Sequence, residues 1–503
     1  MKHTVLLLTA SLLLATSLFG QKHNYDRVLP GHELTADLDF LWQNLQTTHA
    51  SAFTYISQDQ LKAQFDAARQ RLANGATYPE FFLEVTALMA QINDTHSRVD
   101  VANLKNMAKK TKKLTLDVKV RIIGEAIYLT KTTSSNIPEG SQLLAVNDVP
   151  SAKILSVLRP LSVSEGNSNT IGNRMLSESF TAYLTLAAPI EANNQLLITR
   201  FGQSKFETVN YPGTPYNKLT LPEKVKKKYK YYEEKFTFKA VNDSTAMLRI
   251  PTFSTVKSKF YYPFIRKSFK QLAEDSTKVL ILDLRGNTGG SLSKAMYLYR
   301  HLGNHDEKRY VANVVLRQSE LSWKKSRGGW LARFLTKKRH PTDTGSRGLS
   351  HIMVRTPVGQ TDTAWFKVME PDSNRHTFTG QLYAFSDGLS ASASALTLAG
   401  IKRHGLGTLV GEACAATTTG CWGQSRYLKL PNTKTNVKIA LLRMNTTNDF
   451  TPDPTAVTPH HEVPYTIEGL VNEQDLHLQY LEALWGKEKA VNEATVPLPP
   501  PQH

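Results

Sequence analysis

Two short runs of small residues carry the residue types that acyl-transfer chemistry requires. Residues 283–290 read DLRGNTGG and residues 387–395 read DGLSASASA, and each run stands between an apolar strand pattern and the start of a helical one. Glycines at such a turn leave backbone amides free to meet a developing negative charge, which the helix start also favours. A serine held there is exposed as a nucleophile. Taken alone, each run also fits a tight structural turn or a serine N-cap.

The same region argues against other chemistries. Residues 283–290 lack the Gly-x-Gly-x-x-Gly of a dinucleotide site and the Gly-Lys-Ser/Thr of a phosphate loop. Residues 460–462 read HHE, without the i, i+4 histidine pair of a helical zinc site. The sequence therefore predicts neither a metal nor an organic cofactor.

A candidate general base stands where the N-terminal helical patterns end. Residues 93–97 read NDTHS, so His96 directly follows Asp94 and Thr95. Imidazole changes its protonation near neutral pH and can take a serine proton when a carboxylate holds its tautomer. The alternative is an ordinary helix-terminal histidine, which the helix dipole favours.

Taken in order with residues 408–412 (TLVGE), these runs resemble the C-terminal processing and tricorn-like family of serine peptidases, the tail-specific protease family. That family has an Asp-Leu-Arg-x-Asn-x-Gly-Gly turn, a Ser-Ala-Ser-Ala-Ser-Glu helix start and a Val-Gly-Glu strand end in the same order. The resemblance implies that Ser392 is the nucleophile. It also implies that the oxyanion donors are the amides of Ala393 and of Gly289 or Gly290.

The chain departs from this pattern at the general base. Residues 416–419 read ATTT where the tail-specific branch has its catalytic lysine, so the resemblance is to the branch without that lysine. A threonine hydroxyl cannot accept the serine proton at neutral pH. By resemblance to the tricorn-like branch, His96 is the base and Thr95 is the auxiliary hydroxyl that orients a carboxylate. Ala395, in place of the family's glutamate, is a second departure.

The carboxylate that completes the triad is implied by spacing in a poorly matched run. Residues 456–463 (AVTPHHEV) are a degraded version of the family's closing run, and the acidic residue six before its proline is Asp453. Asp449 and Glu462 are the competitors for this role.

The N-terminal part of the chain shows helical periodicity. Apolar residues recur at steps of three and four in three stretches, and two of these stretches begin with a capping-box pattern, Ser57 with Gln60 and Thr77 with Glu80. The apolar positions are Leu34, Leu38, Leu41 and Leu45; Leu61, Phe65, Ala68 and Leu72; and Phe81, Val85, Leu88 and Ile92. They predict a small helical cap.

Strand patterns follow. Residues 137–149 form a turn, a short apolar strand and a second turn, which resembles part of a PDZ domain, where a groove takes an extended peptide as an added strand. Later apolar runs alternate with helical stretches and predict βαβ units around a largely parallel sheet, namely 246–250, 279–284, 382–385, 408–410 and 437–442. The resemblance implies an α/β fold with a spiral core similar to crotonase and Clp protease, an N-terminal helical cap and a PDZ-like β domain.

These patterns divide the chain into a signal peptide, a helical cap, a PDZ-like domain, an α/β peptidase core and a tail. The corresponding ranges are 1–20, 21–112, 113–221, 236–485 with a basic insertion at about 304–375, and 486–503.

The composition and the N-terminal sequence indicate which partners and which cellular compartment to expect. Of 503 residues 41% are apolar and 21% charged, which is typical of a globular protein. The net charge of +18 comes from separated lysine clusters without a nucleic-acid motif, so we expect no nucleic-acid partner and an association with an anionic envelope surface. Lys2 and the apolar stretch 5–14 predict a signal peptide, and therefore a periplasmic or secreted protein. Cys414 and Cys421 leave a disulfide open, and no pattern indicates the oligomeric state.

The leading hypothesis is an exported serine-type endopeptidase or C-terminal processing peptidase, which hydrolyses peptide or protein substrates through an acyl-enzyme on Ser392. The alternative is a catalytically inactive relative that binds peptides or apolar ligands.

Overall fold

The computed structural model describes residues 27–111, 113–220, 234–303, 310–321, 352–353, 356–366, 375–448, 451 and 453–494. The predicted signal peptide, the lysines and arginines of the insertion between residues 324 and 339, Asp449 and the end of the tail lie outside the described residues. The described chain mixes helices and sheets, as the α/β prediction requires.

The N-terminal region is helical because its apolar residues line one face of each helix. Every apolar position predicted from the periodicity is buried, and both predicted capping boxes are present. Its helices are α1 (Gly31–Thr48), α2 (Gln58–Leu72), α3 (Tyr78–Ala90) and α4 (Val101–Lys110), and its short strands are β1 (Val28–Leu29), β2 (Ala76–Thr77) and β3 (Arg98–Val99). The loop between α3 and β3 carries His96.

The second region is a seven-stranded antiparallel sheet covered by helices. The strands are β4 (Leu114–Leu116), β5 (Val118–Ile123), β6 (Ala126–Thr132), β7 (Ser141–Val146), β8 (Val149–Pro150), β9 (Asn193–Thr199) and β10 (Phe206–Pro215). Their order is β4-β10-β9-β7-β6-β5, with β8 paired to β7. The helices are α5 (Ser151–Leu158) and α6 (Asn169–Ala187), and short 3₁₀ turns span Arg159–Leu161 and Tyr216–Lys218. Helix α6 packs along β5 and begins beside the candidate site.

A six-stranded, mainly parallel sheet forms the centre of the C-terminal region. Its order is β11-β12-β13-β16-β17-β22, from the strands β11 (Thr237–Asn242), β12 (Thr245–Arg249), β13 (Val279–Asp283), β16 (Gln381–Ser386), β17 (Thr408–Gly411) and β22 (His461–Glu462). All pairs are parallel except β11 with β12. The predicted runs 246–250, 279–284, 382–385 and 408–410 are therefore confirmed as strands of one parallel sheet.

Helices cover both faces of this sheet. Helices α7 (Ser258–Glu274), α8 (Leu292–Arg300) and α9 (Ala393–Arg403) pack on one face, while Leu481 of α11 (Leu476–Ala494) packs on the other, after the short α10 (Ile467–Val471). The carboxyl ends of β13 and β16 lie side by side because Asp283 is paired with Phe385. The two glycine- and serine-rich runs follow these two ends.

The run 437–442 does not join the parallel sheet, so that part of the prediction is wrong. It contributes to β20 (Asn436–Ile439), which pairs with β19 (Arg426–Lys429) and β3, and to β21 (Leu442–Asn445). Strand β21 lies between β14 (Asn313–Arg317) and β18 (Gly420–Gly423) in a four-stranded sheet with β15 (Thr361–Trp365). The pattern of an apolar run that is buried on both faces does not predict which sheet the run joins.

The structure also shows where the segment after β18 packs and whether the two cysteines are bonded. Val437 and Leu428 belong to the hydrophobic cluster of the N-terminal helices, so the segment after β18 completes the core of that region. Cys414 and Cys421 are both buried free thiols. Among the described residues, no helix is long and apolar enough to cross a membrane.

Candidate active site

Ser392 immediately precedes α9 in a backbone conformation that L-residues rarely adopt. Its φ is 55° and its ψ is −125°, and its half-buried Oγ forms no hydrogen bond with any described residue. Such a conformation costs about 1–3 kcal/mol and persists only where the surroundings impose it. The observed strain and the unbonded hydroxyl are what an exposed nucleophile requires.

The surroundings that impose it are hydrogen bonds between the two small-residue runs. Ser390 Oγ accepts from Asp387 N (3.1 Å) and donates to Leu284 O (2.9 Å). Asp387 Oδ1 accepts from Gly286 N (2.9 Å), and Ala391 N donates to Asn287 O (3.1 Å). The nucleophile turn, in the run 387–395, is thus hydrogen-bonded at several positions to the glycine turn, in the run 283–290.

Two backbone amides beside Ser392 remain available for an oxyanion. Gly289 N donates to Asn287 Oδ1 at 2.9 Å, whereas Gly290 N and Ala393 N have no partner within the described part of the chain. A Cβ added to Gly289, whose φ is 88°, would lie 2.7 Å from Ser392 Cβ and 2.9 Å from Ala393 N. Only glycine allows this approach, and of the two expected glycine donors Gly290 is the one whose amide is not already used.

Asp94 anchors the loop that carries His96. Its Oδ1 accepts from His96 N (2.7 Å) and its Oδ2 accepts from His49 Nε2 (3.0 Å), with both side chains of the Asp94–His49 pair fully buried. Since His49 Nδ1 accepts from Ser51 N (3.1 Å), Nε2 must carry the donated proton. Burial opposes ionisation of Asp94, but the hydrogen bonds from His49 and His96 outweigh it and hold its pKa well below the ordinary value.

The His96 ring has one engaged and one unengaged nitrogen. Nδ1 lies 3.3 Å from Thr95 Oγ1 and 3.7 Å from Asp94 Oδ1, whereas Nε2 has no partner among the described residues. The side chain is 20% exposed. A general base needs this arrangement, with one nitrogen oriented and the other open to a proton.

Glu165, in the loop before α6, is a site residue that the sequence did not reveal. Its Oε2 accepts from Thr95 N (3.0 Å) and from Thr95 Oγ1 (2.6 Å), while its Oε1 is buried without a partner. Burial, followed by the nearby charge of Asp94, raises the pKa of Glu165 to about 7. The residue is 70 positions from Thr95 in a loop of small polar residues, where nothing in the spacing points to His96.

Asp453 forms no hydrogen bond with His96 among the described residues, and its assignment as the carboxylate beside the histidine stays a prediction. Its Oδ2 accepts from Thr418 Oγ1 (2.6 Å) and its Oδ1 accepts from Thr455 N (2.9 Å), both near the surface. These hydrogen bonds lower its pKa. Each oxygen of the Asp453 carboxylate thus has a hydrogen-bond partner in its own surroundings. The competitor Glu462 lies in β22, beside β17.

One segment joins the nucleophile turn to the histidine cluster. Ala415 N donates to Ser390 O (2.9 Å), and Ala391 and Ala415 form a β-bridge. Two residues later, the Thr417 side chain packs against Gly166, the neighbour of Glu165. No hydrogen bond joins Ser392 Oγ to His96 in this part of the chain; in ligand-free enzymes such bonds are often long and tighten with substrate.

The cluster also contains the donor types of a metal site. Asp94, His96 and Glu165 each offer one ligand atom, and these atoms lie within 4.8 Å of one another. Both Asp94 oxygens and one Glu165 oxygen already accept hydrogen bonds from the protein.

A strained serine at a helix start, unused amides beside it and a histidine with an open nitrogen define a serine-type peptidase. The family model described as Peptidase family S41 matches residues 244–463. The matched residues include Ser392, Gly290 and Ala393 but neither His96 nor Glu165. The resemblance to the tail-specific protease family is therefore confirmed, and the match lies in the C-terminal part of the chain. No curated protein matches the sequence.

Solved structures of similar fold include two structures of mature CPAF. The mature protein alone is 15% identical with a TM-score of 0.62, and the match covers 90% of this chain and 96% of that chain. Its complex with lactacystin is 15% identical with a TM-score of 0.63, covering 90% and 97%. At this identity the likeness shows that the two proteins share a fold.

Proposed function

We propose that the protein is an exported processing peptidase that cleaves peptide bonds through an acyl-enzyme on Ser392. The observation that carries the proposal is the strained backbone of Ser392, which holds an unbonded hydroxyl beside the free amides of Gly290 and Ala393. Such a geometry costs stability and serves acyl transfer by presenting the nucleophile next to oxyanion donors.

In this mechanism His96 Nε2 accepts the Ser392 Oγ proton as Oγ bonds to the substrate carbonyl carbon. The amides of Gly290 and Ala393 donate to the oxyanion of the tetrahedral intermediate. His96 then gives the proton to the leaving amine, and the acyl-enzyme is hydrolysed by water with the same residue as base. The lysine of the tail-specific branch is not needed, because the imidazole performs both proton transfers.

A fluorophosphonate probe tests this directly, since its reaction requires an activated serine. We expect labelling of the wild type, none of Ser392→Ala, and strongly reduced labelling of His96→Ala. Ser394→Ala is the matched control on the same helix, because Ser394 Oγ is buried and has no hydrogen-bond partner. A folded wild type that is not labelled would favour the inactive relative that binds peptides or apolar ligands. Lactacystin, with which mature CPAF forms a complex, is a second compound to test for reaction with Ser392.

We further propose that the seven-stranded region is PDZ-like and presents substrate through a groove of about 930 Å³. Residues 118–121 of the edge strand β5 line one side of this groove, and residues of α6 line the other. The predicted segment 137–149 contributes only Glu139, because its strand β7 lies between β6 and β9 and has no free edge.

The β5 edge is partly occupied by α6. Ser177 Oγ accepts from Ile122 N (2.9 Å), and Thr181 Oγ1 donates to Val118 O (3.0 Å). An added peptide strand must therefore pair with Val120 or displace these hydroxyls. Four cations face two carboxylates around the groove, which favours acidic peptide termini: Lys105, Lys109, Lys119 and Arg121 against Glu139 and Glu178.

Deletion of about residues 114–210 should impair cleavage of long substrates more than of short reporters. Because this region shares its hydrophobic cluster with the N-terminal helices, Val120→Pro is a gentler variant that blocks strand pairing at one position. Equal loss on both substrates would indicate a purely stabilising role.

Export is proposed from the signal pattern of residues 1–20, with the mature chain beginning at or near Gln21. Mass measurement of the protein from its host tests this. An intact Met1 in the cytoplasmic fraction would contradict it.

A further inference from the structure

The position of Glu165 offers a carboxylate for the proton relay that differs from the one expected by spacing. We propose that Glu165, acting through the hydroxyl of Thr95, orients His96 and supports its positive charge, and that Asp453 takes no part in the reaction. The inference rests on the proposed roles of Ser392 and His96. It makes Glu165 a positioning residue, since the carboxylate does not touch the reacting atoms.

The hydrogen bonds around Thr95 determine where each proton lies. Glu165 Oε2 accepts from both the amide and the hydroxyl of Thr95, so the Thr95 proton points to the carboxylate. A lone pair of Thr95 Oγ1 then faces His96 Nδ1 at 3.3 Å, and Nδ1 must carry the imidazole proton to satisfy that contact. The lone pair of Nε2 is consequently free to accept a proton.

Asp94 is the competing carboxylate, and its hydrogen bonds exclude it from the same role. Its Oδ1 is 3.7 Å from His96 Nδ1, beyond hydrogen-bond distance, and already accepts from His96 N. Its Oδ2 accepts from buried His49. Asp94 therefore positions the backbone of His96, whereas the path from the ring nitrogen leads through Thr95 to Glu165.

The burial of Glu165 makes the relay effective. Its side chain is fully buried and Oε1 accepts no hydrogen bond. The negative charge of the ionised carboxylate is therefore poorly stabilised until a positive charge forms nearby. That charge appears when Ser392 transfers its proton to His96 Nε2 and Oγ bonds to the carbonyl carbon. The proton stays on the imidazole until the amine leaves, and Glu165 gains none.

Four variants separate this relay from the alternative at Asp453. Glu165→Gln and Thr95→Val should each slow fluorophosphonate labelling and lower kcat on the order of 100-fold, with KM little changed. Thr95→Ser, which keeps the hydroxyl, should restore most of the rate. Asp453→Asn should label like the wild type. Circular dichroism at the assay temperature checks that each variant is folded.

A double variant and the imidazole spectrum provide readouts that a merely structural role would not change. Because both residues act in one relay, Glu165→Gln with Thr95→Val should lose little more activity than either alone. Nitrogen-15 NMR of the His96 ring should show the Nδ1–H tautomer in the wild type and a mixture in Thr95→Val.

The outcomes are distinguishable. Wild-type rates in a folded Thr95→Val or Glu165→Gln, or a 100-fold loss in Asp453→Asn alone, would overturn the relay while leaving Ser392 and His96 in place. If Glu165→Gln does not fold, Thr95→Val against Thr95→Ser decides the question. Absence of labelling in the folded wild type would overturn the proposed function, and this inference with it.

Discussion

Replacing Ser392 with glycine should make the protein more stable than replacing it with alanine. Both variants lack the hydroxyl, so they differ only in the cost of the backbone at φ 55° and ψ −125°. Alanine retains the strain of about 1–3 kcal/mol, which glycine removes. Glycine in turn costs about 0.5–1 kcal/mol through the greater freedom of its unfolded chain. The expected net difference is about 1 kcal/mol in favour of glycine.

Ser394 provides the matched control two residues later. It lies inside α9, outside the positive-φ positions, and is fully buried. There, glycine should be less stable than alanine by about 1 kcal/mol, as at ordinary helix positions. The preference should thus reverse between neighbouring serines of one helix start.

Guanidinium-induced unfolding of the four variants measures this reversal, with each Gly and Ala pair compared in the same transition. Neither Ser392 variant should react with the fluorophosphonate, whereas both Ser394 variants should do so if folded. If glycine at 392 is as unfavourable as glycine at 394, Ser392 carries no backbone strain, and the strain no longer supports Ser392 as the nucleophile.

Four other perturbations test separate parts of the site. In the folded protein the pKa of Glu165 is raised from 4.5 to about 7. Between these pH values the folded protein holds a proton that the unfolded chain releases. The unfolding free energy should therefore fall as pH rises from 4.5 to about 7 and level off above that. Glu165→Gln should remove that contribution, and a difference from wild type that does not vary between pH 4.5 and 7 would contradict it. Gly289→Ala should abolish labelling, because its Cβ would lie 2.6 Å from a backbone oxygen at a φ of 88°; normal labelling would show that the turn can relax. His49→Leu should lower the unfolding free energy by about 3–5 kcal/mol by leaving a buried carboxylate without its donor, and a loss below 1 kcal/mol in denaturant unfolding would refute this. Arg121→Gln should raise KM for long peptides with acidic ends, while KM for a short reporter stays unchanged; equal effects on both would argue against a groove contact.

The sequence by itself determined the elements and the nucleophile turn. Leu34 to Leu45 and the other helical stripes predict their buried faces, because burial and period 3.6 are both local properties. The capping boxes at Ser57 and Thr77 form as their spacing requires. The two small-residue runs predict free amides beside a serine, because a turn between a strand and a helix is built from consecutive residues.

Tertiary structure decided which distant groups share the site. The run 437–442 enters two sheets, since its apolar residues fit any buried strand. Asp453 has suitable spacing but bonds to Thr418, a contact between side chains 35 positions apart. Glu165 reaches Thr95 because α6 begins beside the nucleophile turn and carries the preceding loop to the histidine. Charge, burial and hydrogen bonding of a carboxylate depend on the neighbours that folding brings to it, and a linear pattern contains no information on those neighbours.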